Sequence, residues 1–299
     1  MTDDARWQVR IEPPVLLPGR HATVSLDYRP DRDHQARGVT ATLRCVERYR
    51  FDRTETTMGA DGRPSSRRVT RTQEEELHRQ DVPLADAGPF RAGERRSWQF
   101  EVEVPGLGPA SFEGEELRCT WTLEAKVDIP RGLDERLSQP VRVAQPTALL
   151  RAGVVATGQY GLYEEAPANV DHFPAQIRLD PVPLCLTEAF SGSFTVETAE
   201  PVEVQEVRLE LRTTAEVTVS GGHREEILVA RGRLDVEGSR IGGAFARHGF
   251  HADAPGVWLP SLDLPHGRAR GVFHVILARA WAPDIHYVRD VALATTREL

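Results

Sequence analysis

The residues with the clearest capacity for chemistry in this sequence include a small group of histidines. His248 and His251 are separated by Gly-Phe, Asp253 follows two residues later, and His266 lies further along the chain. Two imidazoles three residues apart in a loop can share a metal ion, and a carboxylate can complete the ligand set. A metal-dependent enzyme is therefore one hypothesis. The simpler interpretation, which we favour, is a polar, Gly-rich loop between strands, because no HExxH-type framework accompanies the histidines.

A second group is rich in arginine. Arg63 lies within a turn sequence, Asp-Gly-Arg-Pro, and Arg67, Arg68 and Arg71 follow it and precede three consecutive glutamates. Guanidinium groups bind carboxylate and phosphate in bidentate fashion, so these four arginines are the candidate contact for an acidic or phosphorylated protein partner. The alternative is a solvated hairpin whose charges cancel locally against the glutamates. No aromatic residues alternate with the arginines, which argues against binding of single-stranded nucleic acid.

Other patterns typical of enzymes are not found in the sequence. Ser191 and Ser193 do not form a GxSxG nucleophile elbow, and the glycines do not form a phosphate-binding loop. The cysteines form no CxxC motif. We therefore expect a non-catalytic protein without a metal or cofactor.

Composition narrows the class of protein further. The chain has 299 residues, of which 40% are hydrophobic and 27% charged, with a net charge of −8. An acidic chain is not expected to bind nucleic acid or anionic membranes broadly. It opens with a polar, acidic segment, and no window approaches the roughly 20 apolar residues of a membrane span. These features predict a cytoplasmic protein.

The elements that must position these residues are strands. Apolar and polar residues alternate throughout residues 117–129, which predicts one face on a core that includes Cys119 and Trp121. Cys45 is likewise in phase with apolar neighbours, and a Cys45–Cys119 disulfide is conceivable, although a cytosolic compartment disfavours it. A strand at residues 39–51 is followed by a polar turn and a returning segment at residues 67–82. For residues 73–80 we favour a strand over a short helix.

The strand pattern is interrupted once, at residues 145–169, where glycines and prolines accumulate and periodicity is poor. We expect an N-terminal β-sandwich at 1–147, a connection at 148–170 and a C-terminal β-sandwich at 171–299. The order of parts in residues 111–143 recurs 150 residues later in residues 261–293, although identities are few. The sequence therefore predicts an all-β fold with two tandem sandwiches.

The N-terminal half resembles the arrestin-like family. In that family the N-terminal domain closes with an aromatic-rich strand, a short Asp-x-Pro element, a further Asp and a final strand. Here these parts are WTLEAKVDIP at residues 121–130, Asp134 and PVRV at residues 140–143. Residues 13–28 and 39–47 also fit, and the sequence is most similar to bacterial members related to sporulation-control proteins. The resemblance covers most of residues 1–145 and, more vaguely, residues 171–299.

What the resemblance implies is a two-lobed, immunoglobulin-like scaffold or adaptor. Partners of such a module would bind on concave faces, on hairpin loops or by strand addition at a sheet edge. The sequence has no acidic-hydrophobic clathrin box and no Pro-Pro-x-Tyr motif. Two further hypotheses stay open: a structural protein that self-associates through edge strands, and the metal-dependent enzyme built on His248 and His251.

Overall fold

The computed structural model of this chain describes residues 6–58, 64–151, 154–155, 158–159, 175–198, 200–234, 236, 240–243, 247–281 and 283–298. Strands dominate these residues, which confirms the prediction of an all-β protein. The described helix, α1 (Thr147–Arg151), has five residues, and no helix in the described ranges is long and apolar enough to span a membrane. Most of the predicted connection at 148–170 lies outside the described residues.

Contacts divide the chain into two compact units. The first unit comprises Met1–Arg48, Gln73–Ser111 and Arg118–Ala144. The second unit comprises Tyr49–Thr72, Phe112–Leu117 and Gln145–Leu299. The tip half of the long hairpin in the N-terminal part of the chain is therefore assigned to the second unit. The strands of the N-terminal part are β1 (Trp7–Glu12), β2 (Val15–Leu16), β3 (His21–Tyr28), β4 (His34–Ala36), β5 (Gly38–Met58), β6 (Pro64–Ala85), β7 (Gly88–Phe90), β8 (Arg96–Glu103), β9 (Phe112–Glu113), β10 (Leu117–Asp128) and β11 (Glu135–Val143).

The first unit contains two main sheets. One has the strand order β1-β3-β8, and the other has the order β2-β11-β10-β5-β6. Their facing side chains form a core because apolar residues alternate with polar ones along β3, β5 and β10. Trp121 is fully buried on β10, and its indole Nε1 donates to the Pro109 carbonyl at 2.8 Å. The predicted strand phase of residues 117–129 is confirmed.

Two further details of the first unit match the sequence expectations. Cys45 and Cys119 are both buried as free thiols, with their Sγ atoms 3.5 Å apart. The returning arm of the hairpin, β6, is a continuous strand through residues 73–80, as predicted.

The second unit repeats this plan. A sheet of order β14-β16-β21 lies against a sheet in which β19, β18, β23 and β24 are neighbours. The described strands after α1 are β12 (Val154–Val155), β13 (Gly158–Gln159), β14 (Ala175–Asp180), β15 (Leu184–Cys185), β16 (Phe190–Val196), β17 (Val202–Glu203), β18 (Glu206–Val217), β19 (Arg224–Leu234), β20 (Arg240–Ile241), β21 (Arg247–Ala252), β22 (Leu262–Asp263), β23 (Gly267–Ala278), β24 (Ile285–Val291) and β25 (Leu293–Ala294).

The 150-residue correspondence seen in the sequence extends to hydrogen bonds. β10 and β23 begin 150 residues apart, as do β11 and β24. In the first unit the Ser111 hydroxyl oxygen accepts from the Val143 backbone N–H at 3.0 Å. In the second, the Ser261 hydroxyl oxygen accepts from the Leu293 N–H, also at 3.0 Å. The end of each closing strand region is therefore hydrogen-bonded to a buried serine at the equivalent position, just before β9 or β22.

Candidate functional site

The arginine segment lies on β6 in the second unit. Arg67, Arg68 and Arg71 are all exposed, whereas Arg63 lies outside the described residues. Because side chains alternate along a strand, Arg67 and Arg71 share one face and Arg68 lies on the other. The sequence grouped these arginines as one cluster, but the strand divides them between two environments.

On the Arg68 face, a carboxylate on the neighbouring strand collects hydrogen bonds. Asp52 of β5 accepts from Arg68 Nε at 2.7 Å and from the Thr70 hydroxyl at 2.7 Å. Its Oδ1 atom also lies 3.1 Å from Nε2 of His223. The hydrogen bonds from Thr70 and His223 lower the pKa of Asp52, so this carboxylate stays ionised. Arg68 is therefore compensated within the chain.

His223 bridges two carboxylates. Its Nδ1 atom lies 2.7 Å from Oε2 of Glu116, and its Nε2 atom contacts Asp52 on the opposite side of the ring. The hydrogen bond to Asp52, together with that to Glu116, raises the pKa of His223 and favours the imidazolium, which donates from both nitrogens. Arg50 Nη1 adds a contact to Glu116 at 3.0 Å. We call Asp52, Glu116 and His223 the histidine clasp.

The histidine clasp holds three separate chain segments of the second unit together. Its members come from β5, from the loop after β9 and from the start of the segment that enters β19. Sequence reasoning missed them, since residues so far apart in the chain carry no spacing signal. Their mutual saturation indicates a structural role.

The opposite face of the hairpin carries an excess of positive charge. Arg53 and Glu55 of β5 lie on the same face as Arg67 and Arg71 of β6, and Arg71 pairs with Glu55. The hydrogen bond from Arg71 lowers the pKa of Glu55, and the charges of Arg53 and Arg67 act in the same direction. We call these four residues the basic face. Arg71 contacts Glu55, and Arg53 and Arg67 act on it through their charges, so three arginines and one carboxylate give the basic face a net charge of +2.

The glutamates that follow Arg71 were the predicted partners for local charge cancellation of the arginines, but other carboxylates pair with them. Asp52 and Glu55, on the neighbouring strand, pair with Arg68 and Arg71. Glu76 instead lies 2.7 Å from Arg44 in the first unit. Local cancellation is therefore strong on the Arg68 face and incomplete on the basic face, and only the strand geometry shows which is which.

The histidine segment is not the loop that the sequence predicted. His248 and His251 lie in β21, where an odd separation of three residues places them on opposite faces of the strand. They are registered against different residues of β16, Phe194 and Ser191. Within the described ranges, no three His, Cys, Asp or Glu side chains are grouped to hold a metal ion. The loop expectation was wrong, because a regular six-residue strand runs through the Gly-Phe pair.

The other histidine of this hypothesis lies elsewhere in the second unit. His266 stacks on Tyr49, with ring centroids 4.5 Å apart and planes inclined by 13°. His248 has a buried Nε2 atom without a hydrogen-bond partner, and burial lowers its pKa. A neutral, half-buried imidazole beside Phe-rich neighbours behaves as a packing residue. These placements give no support to the metal-dependent enzyme.

Asp134 and Asp284 lie in the loops just before β11 and β24. Asp134 accepts from the Ile129 N–H at 3.2 Å and contacts Lys126 at 3.1 Å. Asp284 pairs with Arg208 at 2.8 Å.

Comparison with known proteins adds no family to this description. No protein-family model and no curated protein sequence matches this chain. The resemblance of residues 111–143 to arrestin-like proteins therefore stays a prediction, carried by the residues quoted for it.

Proposed function

We propose that this chain is a non-catalytic, cytoplasmic protein-binding module built from two tandem arrestin-like β-sandwiches. In this proposal the basic face binds an acidic or phosphorylated segment of a partner protein. The observation that supports it best is the grouping of Arg53, Arg67 and Arg71 around a single carboxylate, Glu55.

The chemistry of this face suits an anionic partner. Its arginines project from exposed positions of a two-stranded arm, so a partner can contact their guanidiniums without displacing another part of the chain. Arginine binds carboxylate and phosphate through two parallel hydrogen bonds, which gives geometric selectivity as well as charge attraction. Because the face is exposed, its attraction is expected to weaken as salt increases.

The site that we propose differs from the set of arginines grouped by the sequence. Arg68 was part of the predicted set, but it is held by Asp52 of the histidine clasp. Arg53 was not, although it lies on the same face as Arg67 and Arg71. The refined site therefore contains Arg53, Arg67 and Arg71, while Arg63 stays a prediction outside the described residues.

Titration with defined peptides tests this function. The probes are a Glu-rich peptide and a phosphoserine peptide of equal length, each with an uncharged counterpart. We expect the triple variant Arg53→Ala, Arg67→Ala, Arg71→Ala to weaken binding of the anionic peptides about tenfold or more, because it removes three charge-assisted contacts. Affinity of the wild type should fall as NaCl rises. Isothermal titration calorimetry measures both effects.

Arg68→Ala is the matched control, because it removes an arginine from the same strand on the opposite face. It should leave peptide affinity unchanged, provided that thermal unfolding shows an intact fold. Equal binding by the wild type and the triple variant would contradict the proposal, as would equal losses in the triple variant and in the control.

A second candidate function is self-association through a strand edge. β6 is the outer strand of its sheet in the described residues and runs for 22 residues, most of them exposed. Its many charges oppose indiscriminate strand pairing, which is how natural proteins protect such edges. Sedimentation at micromolar concentrations decides the question, since a monomer over that range would exclude self-association as the function.

A further inference from the structure

The second unit contains an open cleft between its two sheets. The cleft has a volume of about 450 Å³ and lies between β19 and β21. Each of these strands is the last in its sheet, and within the described residues they form no hydrogen-bonded pair with each other. Its larger apolar lining residues are Phe190, Leu209, Leu211, Val229, Phe250 and Phe273.

Two small residues on β19 keep the cleft open. Ala230 is registered opposite Leu211, and Gly232 is registered opposite Leu209. Residues opposite each other in an antiparallel pair share a face, so both small residues occupy positions where a core side chain would stand. A Cβ atom added at Gly232 would meet nothing within 4 Å. The outer strand of this sandwich therefore leaves part of the core uncovered at Ala230 and Gly232.

The floor of the cleft is a packed aromatic group. Phe250 and Phe273 stack with centroids 5.4 Å apart and planes inclined by 10°, and Phe190 meets Phe273 edge-on at 6.3 Å. Phe273 and Phe190 are almost fully buried, whereas Phe250 is partly exposed at the opening. This floor is preformed, so an apolar group that enters need not open the core first.

Two arginines and one carboxylate are the charged residues among those that line the cleft. Arg231 and Arg233 flank Gly232 and keep 53% and 78% of their side chains exposed. Arg231 contacts Glu210, a nearly buried carboxylate that Arg212 already holds at 2.5 Å. Arg233 pairs with Glu206 at the surface. Across the cleft lie His251 and one carboxylate, Asp253. An occupant with acidic groups beside an apolar anchor matches this arrangement.

We propose that the cleft binds an extended peptide segment of a partner protein by strand addition to β19. The segment inserts one apolar side chain over Gly232 onto the Phe250–Phe273 floor and directs acidic side chains toward Arg231 and Arg233. The free edge of β19 favours a peptide over a small molecule, because only a polypeptide offers the alternating N–H and C=O groups that an unpaired edge requires.

This site is distinct from the basic face. Its residues lie on other strands, β16, β18, β19, β21 and β23, and the variants that test it leave Arg53, Arg67 and Arg71 unchanged. Failure of one proposal therefore says nothing against the other.

A pair of matched glycine substitutions tests the proposal. Gly232→Leu fills the cleft, whereas Gly249→Leu adds the same side chain on the outward face of β21, where a Cβ also meets nothing within 4 Å. The probe is a library of random linear dodecapeptides displayed on phage, selected on the full-length wild-type protein. Affinities of the selected peptides are then measured for all three proteins by fluorescence polarisation, after circular dichroism and thermal unfolding confirm that each variant is folded.

We expect selection of peptides with an apolar residue next to Asp or Glu. Gly232→Leu should weaken their binding about tenfold or more, since the anchor loses its place, and Gly249→Leu should not. Hydrogen exchange should show that a bound peptide protects backbone amides of β19.

Each other outcome overturns the proposal. Equal peptide affinity for both variants would place the peptide elsewhere on the protein. Binding without protection of β19 would reject strand addition. Failure to select peptides, while an apolar dye such as 1-anilinonaphthalene-8-sulfonate binds the wild type and not Gly232→Leu, would assign the cleft to a small molecule. Loss of a concentration-dependent dimer in Gly232→Leu would assign it to a second copy of this chain.

Discussion

The two units differ at one side of the sandwich, where the outer strands of the two sheets face each other. In the first unit β6 and β8 are the outer strands, and Gln80 Oε1 accepts from the Glu103 N–H at 3.0 Å to join them. Inside that junction His78 packs on Trp121, with centroids 5.5 Å apart. In the second unit the equivalent outer strands, β19 and β21, are separated by the cleft above Gly232.

The difference shows that a few side chains decide whether this side of a sandwich is closed or open. Strand order is the same on both sides, so topology does not create the cleft. The first unit has His78 and Gln80 at partly buried positions of its outer strand β6, and the second unit has Ala230 and Gly232 on β19. The positions of the large core residues also differ between the units. Gly271 lies 150 residues after Trp121, and a Cβ there would lie 2.4 Å from the Val291 carbonyl oxygen, so no larger side chain fits at this position.

The largest expected effect is a difference in the unfolding free energy lost when an aromatic residue is removed from each core. Trp121→Ala should reduce the free energy of unfolding by about 3–5 kcal/mol, because it removes a fully buried aromatic side chain and its hydrogen bond. Phe250→Ala should reduce it by only about 1–2 kcal/mol, since Phe250 is partly solvated at the cleft. Urea denaturation measures both. Equal losses would mean that the second unit is packed as tightly as the first, and a loss under about 1 kcal/mol for Trp121→Ala would place Trp121 at the surface.

An intermediate effect tests the likeness of the units. Ser111→Ala and Ser261→Ala each leave a buried backbone N–H, that of Val143 or Leu293, without its acceptor. Each should lower the free energy of unfolding by about 1–3 kcal/mol, and the two losses should be similar. Ser138→Ala, at an exposed position of β11, serves as the control. A loss confined to one serine would contradict the structural equivalence of the closing strands.

The smallest effect is a pair of opposite pH dependences. Burial lowers the pKa of His78 in the first unit, whereas the hydrogen bond to Asp52, with that to Glu116, raises the pKa of His223 in the second. An unfolded histidine titrates at about pH 6.5. The stability linked to neutral His78 is complete above this pH and is lost as pH falls through the lower folded pKa. The stability linked to charged His223 is complete below this pH and is lost as pH rises through the higher folded pKa.

Variants separate these two contributions. His78→Phe should flatten the acid side of the stability–pH curve and His223→Gln its alkaline side, as measured by urea denaturation between pH 5 and pH 8. Changes on the same side of the curve for both variants would show that one of the assigned environments is wrong.

Much of the strand framework could be predicted from the sequence. Alternation along residues 117–129 gave the buried face of β10 correctly, because a core on one side of a strand imposes a period of two. The returning hairpin arm and the burial of Cys45 and Cys119 followed from the same periodicity. The His248–His251 pair was misplaced in a loop, since Gly249 weakens a strand pattern without ending the strand.

The candidate sites were harder to predict from the sequence. Arginine content pointed to β6, but the pairing of β5 with β6 decided that Arg68 is compensated while Arg53 joins Arg67 and Arg71. The histidine clasp could not be found at all from the sequence, because its three members are brought together by separate elements.

The sequence by itself determined that this chain is made of strands, which residues of those strands face a core, and that the closing strand pair occurs twice. These are local consequences of side-chain alternation. Only the tertiary structure decided which charges cancel, which remain in excess, and that one sandwich is closed where the other is open. Those properties depend on which strands become neighbours and on the register between them, and the spacing of residues along one chain does not encode either.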